Sequence, residues 1–96
     1  MKKALFINLP NKEQITRRYM CSYVSPESLF PPFELISLAA IARENFQLDV
    51  KLLDAIAEKL NTEKLIEQTQ HFSPDVIVTI LGLESIEGDC AEIANL

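Results

Sequence analysis

The feature that most constrains the fold of this chain is a regular alternation between short apolar runs and segments with helical periodicity. Strands are predicted at residues 3–9 (KALFINL), 48–53 (LDVKLL) and 75–81 (DVIVTIL). The first and third runs are apolar without alternation, which is typical of strands buried on both faces of a parallel sheet. Helices are predicted at residues 32–45, 61–71 and 84–96, with Asn61 or Thr62 capping the second. The pattern predicts an α/β fold in which helices cover both faces of the sheet.

Right-handed crossovers leave two strand orders, 2-1-3 and 3-2-1, and we favour 2-1-3. A chain of 96 residues forms one domain at most. Doubly wound sheets usually have more strands, and here the third strand lies at an open edge. Residues 1–96 therefore indicate the first half of a larger domain, with no second domain. A small complete domain that self-associates through the open edge is the alternative. The residues expected to be buried are Leu5, Ile7, Val50, Leu52, Val76, Ile77 and Val78.

Charge and composition exclude several classes of protein. The net charge is -5, and the basic residues are concentrated in the first 20 positions, so the acidic remainder argues against a nucleic-acid surface. No stretch approaches the ~18 apolar residues of a membrane span. Two cysteines, Cys21 and Cys90, cannot supply a disulfide framework, which favours a reduced, cytoplasmic protein. We interpret Cys21 as an ordinary thiol and Cys90 as core packing in the third helix.

Phosphate-binding motifs are missing from the expected positions. Residues 8–31 contain no glycine, which excludes the dinucleotide fingerprint after the first strand. Gly82 and Gly88 have neither the spacing nor the following lysine of a P-loop. No nucleophile and base can be paired, since His71 is expected at an exposed helix end. Asp54 is expected to cap the turn after the second strand.

Residues 10–31 show no periodicity and are predicted to form a long loop, a flexible cover over the carboxyl ends of the strands. Such a connection is usually functional or disordered when it exceeds ~12–15 residues. Arg17 and Arg18 lie in it, and we interpret both as solvated, although they are also candidates for holding an anionic group.

Several segments together carry a resemblance to a known family. They are Asn8-Leu9-Pro10 at the end of the first strand, FPPFEL at 30–35, LAAIAR at 38–43, VKLLDAIAE at 50–58 and PDVIV at 74–78. In this order and spacing they resemble the N-terminal cobalamin-binding domain of radical S-adenosylmethionine enzymes, over nearly the whole chain.

The resemblance implies a flavodoxin-like, Rossmann-like sheet with cobalamin over the carboxyl ends of its strands. Residues 8–13 contain no histidine, so cobalamin is expected without a histidine lower ligand. The CxxxCxxC motif of the iron-sulfur cluster is absent. The cluster and S-adenosylmethionine are therefore expected only in the missing part of a parent enzyme, and this chain is expected to bind cobalamin weakly and to be noncatalytic alone.

The expected binding site is the crevice where the strand order reverses, between the first and third strands. The alternative function is a flavodoxin-like interaction or oligomerisation domain without a cofactor. The residues expected to face the cofactor, none of them a metal ligand, are Leu9, Pro10, Asn11, Thr79, Leu81, Gly82 and Leu83.

Overall fold

A computed structural model describes residues 2–18 and 21–96 of the chain, and it contains a three-stranded parallel sheet in the order β4-β1-β5. The first predicted strand lies in the middle, so the α/β class and the 2-1-3 order are confirmed. A separate antiparallel pair, β2 and β3, precedes the first helix. The elements are β1 (Lys3–Asn8), β2 (Ile15–Arg18), β3 (Cys21–Val24), α1 (Phe33–Phe46), β4 (Asp49–Asp54), α2 (Thr62–Phe72), β5 (Val76–Thr79), a 3-10 turn (Leu83–Ser85) and α3 (Ile86–Ala94).

The central strand β1 has buried side chains on both faces, as its unbroken apolar run predicts. On one face Ala4 and Phe6 pack against Leu35 and Ala39 of α1. On the other face the cluster contains Leu5, Ile7, Leu9, Leu53 and Leu65, the last of these from α2. Alternate side chains of β1 thus hold the two helices on opposite sides of the sheet.

Local signals set the helix ends close to their expected positions. Asn61 caps α2, because its side chain accepts a hydrogen bond from the backbone N–H of Lys64 at 2.9 Å. Residues with positive φ, Gln47 and Ser73, end α1 and α2. His71 is exposed in the last turn of α2, as expected. Among the described residues, no helix is long and apolar enough to cross a lipid bilayer.

The expectation of an unstructured cover over residues 10–31 is wrong for two segments. Ile15–Arg18 and Cys21–Val24 form the antiparallel hairpin β2–β3, with Ile15 opposite Val24 and Arg18 opposite Cys21. Its buried side chains include Thr16, Arg17 and Ser22, which are polar. Arg17 and Ser22 bond residues of the C-terminal segment, and Thr16 bonds Ser25 of the same hairpin, so polar side chains are buried here and no apolar alternation marks the strands.

The outer strands are less covered than expected. Leu5 and Ile7 are fully buried, whereas Val50 and Val78 are half-buried. Three further expectations of burial, at Leu52, Val76 and Ile77, are wrong. These side chains belong to β4 and β5, each of which has one neighbouring strand among residues 2–18 and 21–96.

Helix α3 does not bury the residues that its spacing suggests. Cys90 is exposed, so its interpretation as core packing is wrong, and the neighbouring Asp89 is completely buried. Asp89 contacts Arg17 of the hairpin, and Glu92 accepts a hydrogen bond from Thr62 at the start of α2. These two contacts place helix α3 across the carboxyl ends of the strands.

Candidate functional site

The hairpin is attached to the carboxyl end of the sheet through Ser22. The backbone N–H of Ser22 donates to a carboxylate oxygen of Glu84 at 2.5 Å, and its hydroxyl contacts the Ser85 hydroxyl at 3.0 Å. Gly82 is buried directly beneath this contact. A Cβ atom at Gly82 would lie 2.5 Å from Ser22 Oγ and 2.6 Å from Ser22 Cβ. Glycine is therefore needed here for the close approach of the hairpin.

A second attachment is a buried ion pair between the hairpin and α3. Arg17 Nη2 donates to Asp89 Oδ1 at 2.6 Å and Arg17 Nε to Asp89 Oδ2 at 3.3 Å. The two side chains are 1% and 0% exposed. Asp89 also accepts hydrogen bonds from the Gly82 N–H at 3.1 Å and the Ser85 hydroxyl at 2.9 Å. The carboxylate is thus surrounded by donors, as a buried charge requires.

The same arginine reaches the end of the central strand. Arg17 Nη1 donates to Asn8 Oδ1 and to the Leu9 carbonyl, both at 2.8 Å. Asn8 in turn donates to Asp54 Oδ1 at 2.8 Å, and Asp54 accepts from the backbone N–H of Ala57 at 3.2 Å. Asp54 thus caps its turn, as expected. One polar network joins the ends of all three strands.

This network corrects the interpretation of Arg17 as a solvated side chain, which is wrong because Arg17 is 2% exposed. Its neighbour Arg18 is half-buried, forms an ion pair with Glu34 at 3.3 Å and lies over the Phe33 ring. Two adjacent arginines in one polar segment thus have different environments. Consecutive side chains of a strand lie on opposite sides of it, and in β2 the side chain of Arg17 is the one directed toward the parallel sheet.

The seven residues expected to face a cofactor do not surround one cavity. Thr79 donates its hydroxyl to the Ile7 carbonyl at 2.7 Å, and Leu81 packs against the cluster on the α2 side of the sheet. Gly82 lies beneath Ser22, whereas Leu83 is 63% exposed. Leu9 is fully buried in the same cluster. Only Pro10 and Asn11 line an open cavity.

That cavity lies beside the carboxyl end of β1, toward β4 rather than β5, and its volume is about 510 Å³. We call it the groove. A smaller cavity of about 340 Å³ adjoins it along α3, with Gly88, Ala91 and Glu92 in its wall. The groove is lined by Pro10, Asn11, Lys12, Glu13, Gln14, Ala55, Ile56, Lys59, Leu60, Asn61, Thr62 and Glu92.

The groove combines an apolar surface with groups that can form hydrogen bonds. Ile56 is buried and Leu60 half-buried, and amides are supplied by Asn11 and Asn61. The ammonium groups come from Lys12 and Lys59, which are exposed and form no ion pair within residues 2–18 and 21–96. Sequence reasoning missed the wall formed by residues 55–62, although Ala55 and Ile56 follow Asp54 in the segment that carries the resemblance.

Metal-ligating side chains are dispersed in the part of the chain that the structure describes. There, no group of three histidine, cysteine, aspartate or glutamate side chains is arranged to hold a metal ion. Cys21 is half-buried in β3 and Cys90 is exposed on α3.

The attachment of the hairpin is expected to weaken in acid. The hydrogen bond from the Ser22 backbone N–H lowers the pKa of Glu84 below its ordinary value. A carboxylate whose pKa is lowered on folding stabilises the fold above its unfolded pKa, and this contribution is lost as the pH falls through the folded value. Between pH 7 and pH 3, the original protein should therefore lose more stability in urea denaturation than Glu84→Gln. The control is Glu87→Gln, an exposed glutamate in the first turn of α3, and an equal acid sensitivity of all three proteins would contradict the expectation.

No family model matches this sequence, and neither a curated protein nor a solved structure matches it.

Proposed function

We propose that this chain is a cobalamin-binding module of a radical S-adenosylmethionine enzyme and that the groove is its contact with the cofactor. The observation that carries the proposal is a cavity of about 510 Å³ at the carboxyl end of the central parallel strand. Ligands of open α/β sheets bind at this end of the strands. The sequence resemblance, which includes the residues around Pro10 and Ala55, supplies the identity of the ligand.

The chemistry of the groove fits the rim of this cofactor. Cobalamin has an apolar macrocycle, amide groups around its edge and one phosphodiester. Ile56 and Leu60 offer apolar contact, Asn11 and Asn61 offer amide donors and acceptors, and Lys12 offers a cation for the phosphodiester. Cobalamin is larger than the groove, so the groove would hold one side of the cofactor, and binding by this chain alone is expected to be weak.

The proposed site differs from the expected crevice between β1 and β5. The hairpin occupies that side through the Arg17–Asp89 pair and the Ser22 contact with Gly82. Pro10 and Asn11 remain in the site, and the wall from Ala55 to Thr62 replaces Thr79, Leu81, Gly82 and Leu83.

When bound, cobalamin supplies a cobalt centre able to carry an alkyl group, and the role of this chain is to hold and orient the cofactor. Within the part of the chain that the structure describes, the lining of the groove includes no histidine, and this agrees with the proposal that the chain would hold cobalamin without a histidine ligand. The iron-sulfur cluster, S-adenosylmethionine and substrate belong, in this proposal, to other domains of the parent enzyme.

Equilibrium dialysis against hydroxocobalamin tests the proposal, with the retained corrin measured by its absorption. Lys12→Glu should weaken binding about tenfold, since exchanging a favourable for an unfavourable charge near a phosphodiester costs on the order of 1.4 kcal/mol. The matched control is Lys2→Glu, because Lys2 is exposed at the opposite end of β1. Equal weakening by both variants would indicate a general charge effect and contradict a site in the groove.

A bulky side chain introduced on α3 provides an independent test of the same site. Ala91→Trp should obstruct the adjoining cavity and weaken binding, whereas Ala94→Trp, on the same helix but outside its wall, should not. Methylcobalamin, whose upper cobalt position is occupied, distinguishes groove binding from simple coordination by Cys21, Cys90 or His71. The proposal would be contradicted if the chain retained hydroxocobalamin but not methylcobalamin, and if neither Ala91→Trp nor Ala94→Trp changed this retention.

A second function is favoured by a different observation, the uncovered outer edge of β5, where Val76 is 46% exposed. An interaction domain would use this edge to bind another chain.

A further inference from the structure

The guanidinium group of Arg17 lies in a pocket built by other parts of the chain. Its acceptors are Asn8 Oδ1, the Leu9 carbonyl and both carboxylate oxygens of Asp89, at distances of 2.6–3.3 Å. We call these groups the guanidinium pocket. Two different nitrogens, Nε and Nη2, reach the two oxygens of Asp89, and this forked geometry is one that an arginine provides and a lysine cannot.

The guanidinium pocket does not depend on the hairpin for its shape. Asp89 also accepts hydrogen bonds from the Gly82 N–H and the Ser85 hydroxyl. The amide of Asn8 is held by Asp54. The remaining acceptor is the carbonyl of the first residue after β1, whose side chain is buried in the apolar cluster on the α2 side. Residues outside β2 and β3 thus orient every acceptor, so the pocket is preorganised for a guanidinium.

Few apolar contacts hold the hairpin in its place. Among the described side chains of β2 and β3, only Ile15 is both apolar and buried, and it belongs to neither apolar cluster of the sheet. The attachments come from Arg17, Arg18 and Ser22, which are charged or polar. Opening of the hairpin would therefore expose little apolar surface. Rehydration of the buried ion pair would offset much of the electrostatic energy lost on opening.

The position of the guanidinium pocket is one where open α/β sheets bind ligands. Asn8 ends β1 and Gly82 follows β5, so the pocket lies at the carboxyl ends of the two strands between which the strand order reverses. Arg17 fills this position and is 2% exposed. The hairpin thus covers the crevice with a chemical group that a ligand can imitate.

We propose that the hairpin is an internal ligand of the guanidinium pocket and that a guanidinium group from outside the hairpin displaces it. Because Arg17 is tethered, a competitor faces an effective concentration on the order of millimolar. The net charge of -5 favours the approach of a cation. Displacement would release the hairpin and open the crevice between β1 and β5.

This proposal does not rest on the proposed cofactor. The groove is lined by residues 10–14, 55–62 and Glu92, and none of these belongs to the guanidinium pocket. Failure of cobalamin binding would leave the pocket intact, and failure of displacement would leave the groove open.

Chemical rescue tests the pocket. Arg17→Ala removes the internal ligand, and methylguanidinium should then raise the midpoint of thermal unfolding in a saturable manner, by about 5–10 °C at ~10 times its dissociation constant. Methylammonium at the same concentration and ionic strength should have no such effect, because it lacks the fork. Asp89→Asn added to Arg17→Ala should abolish the rescue. If Arg17→Ala is unfolded at room temperature, methylguanidinium should instead restore its helical circular dichroism.

Hydrogen exchange on the original chain tests displacement. N-acetylarginine methylamide should accelerate exchange of the β2 and β3 amides as its concentration rises, since it binds only the open form, while β1 keeps its protection. N-acetyllysine methylamide is the matched control and should leave the hairpin unchanged.

Comparison with methylguanidinium distinguishes the source of the group, and either result supports displacement. A larger acceleration by the blocked arginine assigns the pocket to an arginine residue of a polypeptide, whereas an equal acceleration assigns it to a small guanidino compound. The proposal would be overturned if methylammonium rescued Arg17→Ala as well as methylguanidinium does, if neither compound rescued it, or if the blocked arginine and the blocked lysine gave the same exchange.

Discussion

Replacing Asp89 by alanine is expected to lower the free energy of unfolding by about 3–5 kcal/mol, the usual cost of removing one partner from a buried ion pair. The substitution leaves the Arg17 guanidinium buried and also deprives the Gly82 N–H and the Ser85 hydroxyl of their acceptor. Urea denaturation provides the measurement. The matched control is Arg43→Ala, which breaks the exposed Arg43–Glu44 pair and should cost at most about 1 kcal/mol.

A double variant keeps this prediction testable if Asp89→Ala does not fold. Arg17→Met combined with Asp89→Leu removes both charges and fills the site with apolar atoms, which often recovers much of the stability lost in a single variant. The combined variant should be more stable than Arg17→Met or Asp89→Leu alone. If both single variants denature at the same urea concentration as the original protein, the hairpin is not attached as described.

The second large effect is expected at Gly82, where alanine should cost about 1–3 kcal/mol through overpacking. The backbone of Gly82 has φ -104°, which any residue adopts, so the penalty comes from the contact with Ser22. Gly88 is the matched control: its nearest atom to an added Cβ is 4.0 Å away, and alanine there should stabilise α3 by about 0.5–1 kcal/mol.

A second substitution at Ser22 distinguishes a clash with Ser22 from a direct effect of Gly82→Ala on the backbone after β5. Ser22→Gly removes the two closest atoms, so Gly82→Ala should cost less in that background than in the original protein. Hydrogen exchange should report faster opening of β2 and β3 in Gly82→Ala and recovery in the double variant. Equal costs in the two backgrounds would contradict a clash with the hairpin.

The main parallel sheet could be predicted because its signals are local. The nearly continuous apolar runs within residues 3–9 and 75–81 indicate strands in a parallel sheet, and Asn61 marks the start of α2. Crossover handedness then reduced the strand orders to two. Edge burial was overestimated because an apolar run does not reveal whether a neighbouring strand or helix covers it.

The candidate site was only half predicted. Pro10 and Asn11 come after Leu9, the first residue beyond β1, and therefore lie at the carboxyl end of the sheet in either strand order. The other wall depends on the turn after β4 and on the path of α3, which no local pattern encodes. The sequence also favours Thr79, Leu81, Gly82 and Leu83, because it predicts a flexible loop over residues 10–31. In the structure the β2–β3 hairpin lies against Gly82 instead.

Local periodicity thus determined the three strands of the parallel sheet, the helices and the α/β class of this protein, since backbone propensity and apolar spacing act over a few residues. Only the tertiary structure decided which polar residues are buried. Arg17 and Asp89 are 72 positions apart, and either alone has the pattern of a solvated charge. Each is stable in the interior only because the other compensates its desolvation, and that compensation exists only once the hairpin and α3 meet at the end of the sheet.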